Sequence, residues 1–79
     1  MYMSNNETQI VDRFIYPGSQ LWEELVGTRY IDAESTVGQH CTNMYNFSDS
    51  SLAAELIKAA LERVDWDEIR ENNPDLWSN

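Results

Sequence analysis

The most regular hydrophobic pattern in the chain lies toward its C terminus. Ala53, Leu56, Ile57, Ala60, Leu61 and Val64 recur at three- and four-residue intervals, which predicts an amphipathic helix with this stripe on the core. Ser48 stands as its N-cap, with Phe47 before it and Leu52 four helical positions in, the arrangement of a hydrophobic staple. Glu55, Lys58, Glu62 and Arg63 fall off the stripe, and Lys58 and Glu62 have the spacing of an i,i+4 ion pair.

The stripe breaks after Val64, where a second set of start signals appears. Asp65 can cap, Glu68 completes a capping box, and Val64 and Ile69 form a second staple. Asp67 and Glu68 fall in the first turn, where the helix dipole favours negative charge, and Asn72-Asn73-Pro74 stops the run. The expectation is a short, separately capped helix from Trp66 to about Asn72, set at an angle to the long one.

The first half of the chain is less regular. "TQIVDRFIY" is rich in β-branched and aromatic residues and reads as a strand, although Ile10, Val11, Phe14 and Ile15 share a helical face and "SNNE" has capping-box spacing. Pro17-Gly18 ends it. "SQLWEELVG" reads as a short helix with Ser19 as cap, Leu21, Trp22 and Leu25 on one face, and Gly27 suited to the left-handed position after the last turn. Residues 28–32 and 38–46 read as a hairpin. Val37, Cys41, Met44 and Tyr45 also match helical spacing, against which stand Gly38 and the turn formers "DAES". The fold class expected is α+β: a single domain over 1–79, an N-terminal strand or hairpin on a long C-terminal amphipathic helix, then a short capped helix. An all-α arrangement is the alternative.

Composition narrows the function classes. A 79-residue chain with 42% hydrophobic residues is folded rather than disordered, but it hides only roughly 60% of the surface its unfolded chain exposes. Cys41 is the only cysteine, which excludes an intramolecular disulfide and argues against a zinc cluster. No signal peptide or membrane span is evident, so the expected compartment is the cytoplasm. Neighbouring His40 and Cys41 would point to opposite faces of a strand, and no nucleophile, phosphate-loop or zinc-protease motif occurs. "DWDEIRENNPDL" opens like a calcium loop but has Ile69, Arg70 and Leu76 where that loop needs a ligand, Gly and Glu. The expectation is a non-enzyme with no cofactor and no metal.

Charge is the largest anomaly: fourteen acids against five bases give a net charge of -9. No Lys/Arg cluster exists to hold nucleic acid or an anionic membrane, so a partner chosen by charge is basic. Glu62, Asp65, Asp67, Glu68, Glu71 and Asp75 are concentrated around the short helix, flanked by Trp66 and Trp77. Carboxylates three or four apart on one helical face lie about 5–6 Å from each other, broadly the spacing of phosphates along a strand. These eight residues are the candidate partner-binding site. They suggest a protein that binds and inhibits a basic, nucleic-acid-binding partner, in the manner of a nucleic-acid mimic. Small phage-encoded anti-restriction and anti-CRISPR proteins share this profile of size and charge, without a sequence resemblance. The alternative is an interaction module or homo-oligomeric subunit whose acidity only keeps it soluble.

Overall fold

The computed structural model describes residues 4–46, 48 and 50–77. Among these residues it contains five α-helices and one 3-10 turn, and no strand: α1 (Asn6–Arg13), α2 (Gln20–Val26), the turn Tyr30–Asp32, α3 (Ala33–Tyr45), α4 (Leu52–Leu61) and α5 (Trp66–Asn72). The α+β expectation is therefore overturned in favour of the all-α alternative.

The correction has local causes. At the N terminus the Asn5 side chain accepts from the Thr8 amide, so the helix is capped one residue later than the "SNNE" spacing placed it. Ile10 and Val11 lose less than about 1 kcal/mol each by being helical, and a two-stranded hairpin on its own is marginal in water. A strand over this segment would need partners for its backbone, whereas the helix satisfies its own. The hairpin expected over 28–32 and 38–46 is likewise replaced by the 3-10 turn and α3. There "DAES" supplies an N-terminus rather than a turn, and a Cβ on Gly38 would lie 3.6 Å from Leu61, so α4 crosses α3 closely here. Asn46 ends α3 in the left-handed conformation at φ 55°, which Asn tolerates better than most residues.

α2 agrees with its sequence signals at the start, where the Ser19 hydroxyl accepts from the Trp22 amide. Its end differs: Gly27 has φ -85° and is not left-handed, while Gly18, at φ 94°, carries the positive φ of the preceding turn. α4 begins at Leu52 with Ser51, not Ser48, as its cap. The staple involving Phe47 lies outside the described residues. Lys58 pairs with Glu55 at 4.0 Å instead of with Glu62.

The core gathers Ile15, Leu21, Leu25, Val37, Leu61 and Ile69, with Ala33, Val64 and Leu76 closing its edges. α2 packs on α3, α3 on α4, and α1 on α5. The stripe predicted for α4 is only partly the buried one. Ala54 and Leu61 are buried and Ile57 is half-buried, but Ala53 is exposed and Leu56 is 61% exposed. Val64 is buried beyond the end of the helix, in the link to α5. No helix among the described residues is long and apolar enough to cross a membrane.

Candidate functional site

α5 is where sequence and structure agree best. Asp65 caps it, its carboxylate accepting from the Glu68 amide at 3.1 Å, and Val64 and Ile69 both enter the core. The reciprocal half of the capping box is made differently: the Asp65 amide donates to the Thr8 hydroxyl of α1 at 2.8 Å. Asn73 at the other end donates to the Asp12 carboxylate at 3.1 Å. α5 is thus tied to α1 at both ends, which fixes the direction in which its acidic residues project.

The eight candidate residues separate into groups. Glu62, Asp67, Glu71 and Asp75 are exposed. Asp65 is committed to the cap, and Glu68 is half-buried with Oε1 lacking a hydrogen-bond partner among the described residues. Trp66 and Trp77 are half-buried against the core, each with a buried indole nitrogen, so neither stands out as an aromatic anchor for a partner. Trp77 docks back onto the protein. Glu62 is remote from this set in its surroundings, lying with Glu34 and Lys58 on the cleft between α3 and α4.

Asp67 anchors a small cluster that the sequence did not reveal. It accepts a hydrogen bond from the Tyr30 hydroxyl and lies 3.9 Å from the Arg70 guanidinium. That guanidinium sits 4.2 Å above the Tyr30 ring, and the ring meets Trp77 edge-on at 5.3 Å between centroids. Tyr30 and Asp67 are 37 positions apart, so no local pattern could have paired them. Partial burial and then the adjacent Asp67 carboxylate push the Tyr30 hydroxyl up from 10.0 to about 12. Folding therefore favours the protonated phenol. Its contribution is full below pH about 10 and is lost as the pH rises through about 12. In a spectrophotometric titration, the phenolate step that Tyr30→Phe removes should be centred near 12; a step near 10 would show that the Asp67 contact does not persist in solution.

The second feature is a groove of about 480 Å³ bounded by α1, α3 and α4. α1 contributes Ile10 and Val11 and its C-cap Phe14, α3 contributes His40, Cys41 and Met44, and α4 contributes Ile57 and Ala60, over a floor of Leu21, Val37 and Leu61. Ile10, Phe14, Met44 and Tyr45 remain exposed on its walls. Sequence reasoning missed this groove because it turned the residues of α1 into a strand and assigned the whole α4 stripe to the core. The available signal was α4 itself: "LAAELIKAAL" is apolar on more than one face, a composition expected of a helix covered on both sides.

His40 and Cys41 both line the groove from consecutive positions of α3. His40 Nδ1 is engaged by Glu24 Oε2 at 2.6 Å, and burial, then the Glu24 charge, raise the Cys41 thiol above its ordinary range. A thiol held in its protonated form is a poor nucleophile. Among the described residues no three His, Cys, Asp or Glu side chains come together as metal ligands. Compared with known proteins, the chain matches no family model, no curated protein and no solved structure, so the functional reading rests on these residues and their geometry.

Proposed function

We propose that this protein is a non-catalytic, acidic binding protein that engages and blocks a basic, nucleic-acid-binding partner through its carboxylate surface. The distribution of cations carries this reading. Four of the five basic side chains are held in ion pairs at home: Arg29 with Asp32, Lys58 with Glu55, Arg63 with Glu7 and Arg70 with Asp67. Positive charge is thereby neutralised locally, and the net charge of -9 is left on carboxylates such as Glu23, Glu34, Glu62 and Glu71, all of them exposed. A surface of this kind steers a cationic partner at long range and repels nucleic acid.

The contact surface is narrower than the acidic run itself. Asp65 is occupied as a cap, the tryptophans by the core, and Asp67 by Tyr30 and Arg70. Glu62 and Glu71 are the better probes, since changing them disturbs neither the cap nor the Tyr30 cluster. The test is capture of bacterial nucleic-acid-binding proteins at low and high salt, with identification of the bound species and competition by nucleic acid. Wild-type protein should retain such a partner at low salt and release it as ionic strength rises. Glu62→Lys with Glu71→Lys should weaken retention about tenfold, mainly through slower association, with thermal stability unchanged. Retention that ignores both salt and charge reversal would sink the proposal.

A further inference from the structure

The groove between α1, α3 and α4 is a second recognition element, and we infer that it receives the apolar face of a basic amphipathic helix belonging to the partner. This identification of the occupant rests on the proposed preference for a cationic partner. The site itself is separate from the exposed carboxylates of α5.

The first ground is the shape and continuity of the apolar surface. Inside the groove, Phe14 and Ile10 face Met44 and Tyr45 across a floor that reaches the core at Val37 and Leu61. Outside it, α4 continues the same character. Ala53 and Leu56 share a helical face with Ala60 of the groove wall at three- and four-residue spacing, and Leu52, one turn before Leu56, is 76% exposed. An apolar surface that runs from a concave slot along a neighbouring helix suits an elongated ligand. A helix laid in the slot would bury the apolar side chains of its successive turns at i, i+3, i+4 and i+7, the helix-in-groove mode of recognition. A compact small molecule would fill the slot and leave Leu52 and Leu56 in water.

The second ground is charge. Among the described residues no Lys or Arg lines the groove and Glu7 is its one formally charged lining residue, while the Glu24 carboxylate engages His40. Arg63, which approaches this edge, is already held 3.4 Å from Glu7. On α4 the exposed Leu52, Ala53, Leu56 and Ala59 carry no charge, and the exposed Glu55 and Lys58 are paired with each other at 4.0 Å. A helix with an apolar seam and basic flanks would place its seam on neutral surface and its cations in the field of the -9 chain. A second copy of this chain would bring the same net negative charge to the contact, and an acidic helix would be repelled by the net charge of the -9 chain.

The experiment uses the full chain and three synthetic peptides of equal length: a Leu/Lys peptide with an amphipathic helical pattern, the same composition scrambled, and a Leu/Glu peptide with the amphipathic pattern. Binding is followed by titration calorimetry at low and moderate salt. The patterned Leu/Lys peptide should bind at least about tenfold more tightly than the scrambled one, and the Leu/Glu peptide should not bind. Phe14→Ser and Met44→Ser, both at exposed positions and so tolerable to the fold, should each reduce the patterned peptide's affinity about tenfold and leave the scrambled peptide unaffected. Glu62→Lys with Glu71→Lys should weaken both Lys peptides alike. Equal binding of patterned and scrambled Lys peptides would overturn the groove while keeping the charge reading. Equal binding of Leu/Lys and Leu/Glu peptides would overturn the basic occupant, and with it the reading on which it rests. A concentration-dependent dimer in sedimentation velocity, dispersed by Phe14→Ser, would overturn the inference by showing that the groove is covered by a second copy.

Discussion

Ile69→Ala should destabilise the protein by about 2–5 kcal/mol, the usual cost of truncating a fully buried aliphatic side chain. Ile69 is 0% exposed and is the residue through which α5 enters the core. The truncation leaves a cavity that cannot readily collapse, because α5 is held at both ends by hydrogen bonds to α1. A chain of 79 residues has a total stability of only about 4–12 kcal/mol, so the loss is a large fraction of the whole. Urea unfolding followed by tryptophan fluorescence should show a midpoint far below wild type, with Ile69→Val intermediate at about 0.5–1.5 kcal/mol. A loss under about 1 kcal/mol for Ile69→Ala would mean that α5 is not docked as described, and that its carboxylates have no fixed frame.

That prediction concerns the part of the molecule most legible in its sequence. The signals around α5 are short-range: an Asp three residues before Glu68, acids in the first turn, an Asn-Asn-Pro stop, and apolar residues on either side of the cap. Such signals do not depend on the rest of the fold, and the structure reproduces the cap, the helix bounds and the burial of Ile69. The face of α4 was not legible in the same way. Ala53, Leu56 and Ala60 compete with Ala54, Ile57 and Leu61 for the core, and only the close crossing near Gly38 decides between them. In α1 and α3, β-branched residues and an internal glycine argued for strands. The competing facts were the absence of a pairing partner and an Asn5 cap one position from the expected one. The contacts that orient the candidate site, Tyr30 with Asp67 and Thr8 with Asp65, span the chain and leave no trace in local spacing.

Thr8→Val should cost about 1–3 kcal/mol and should be worse than Thr8→Ser. Thr8 is 0% exposed, and its hydroxyl accepts from the Asp65 amide. Valine keeps the shape and removes the acceptor, so the amide at the start of α5 loses its partner in a partly buried place, which carries the desolvation penalty of an unmade bond. Serine keeps the acceptor and gives up one methyl group, worth about 0.8 kcal/mol before any cavity cost. The order Thr, Ser, Val therefore separates hydrogen bonding from packing, and a serine variant less stable than the valine one would reverse the assignment. The consequence extends beyond stability. Thr8 joins α1 to the α4–α5 link, which is reinforced by Asn5 Nδ2 donating to the Arg63 carbonyl at 2.7 Å and by the Arg63–Glu7 pair. α1 is also a wall of the apolar groove, so one clamp sets both the groove and the acidic helix. Amide hydrogen exchange should show faster opening at Asp65 and through α5 in Thr8→Val, with smaller changes in α2, which is not part of the clamp. If the groove and the acidic helix act on one partner, Thr8→Val should weaken binding of the patterned Leu/Lys peptide at temperatures where the variant is still folded. Thr8→Ser should bind it as wild type does.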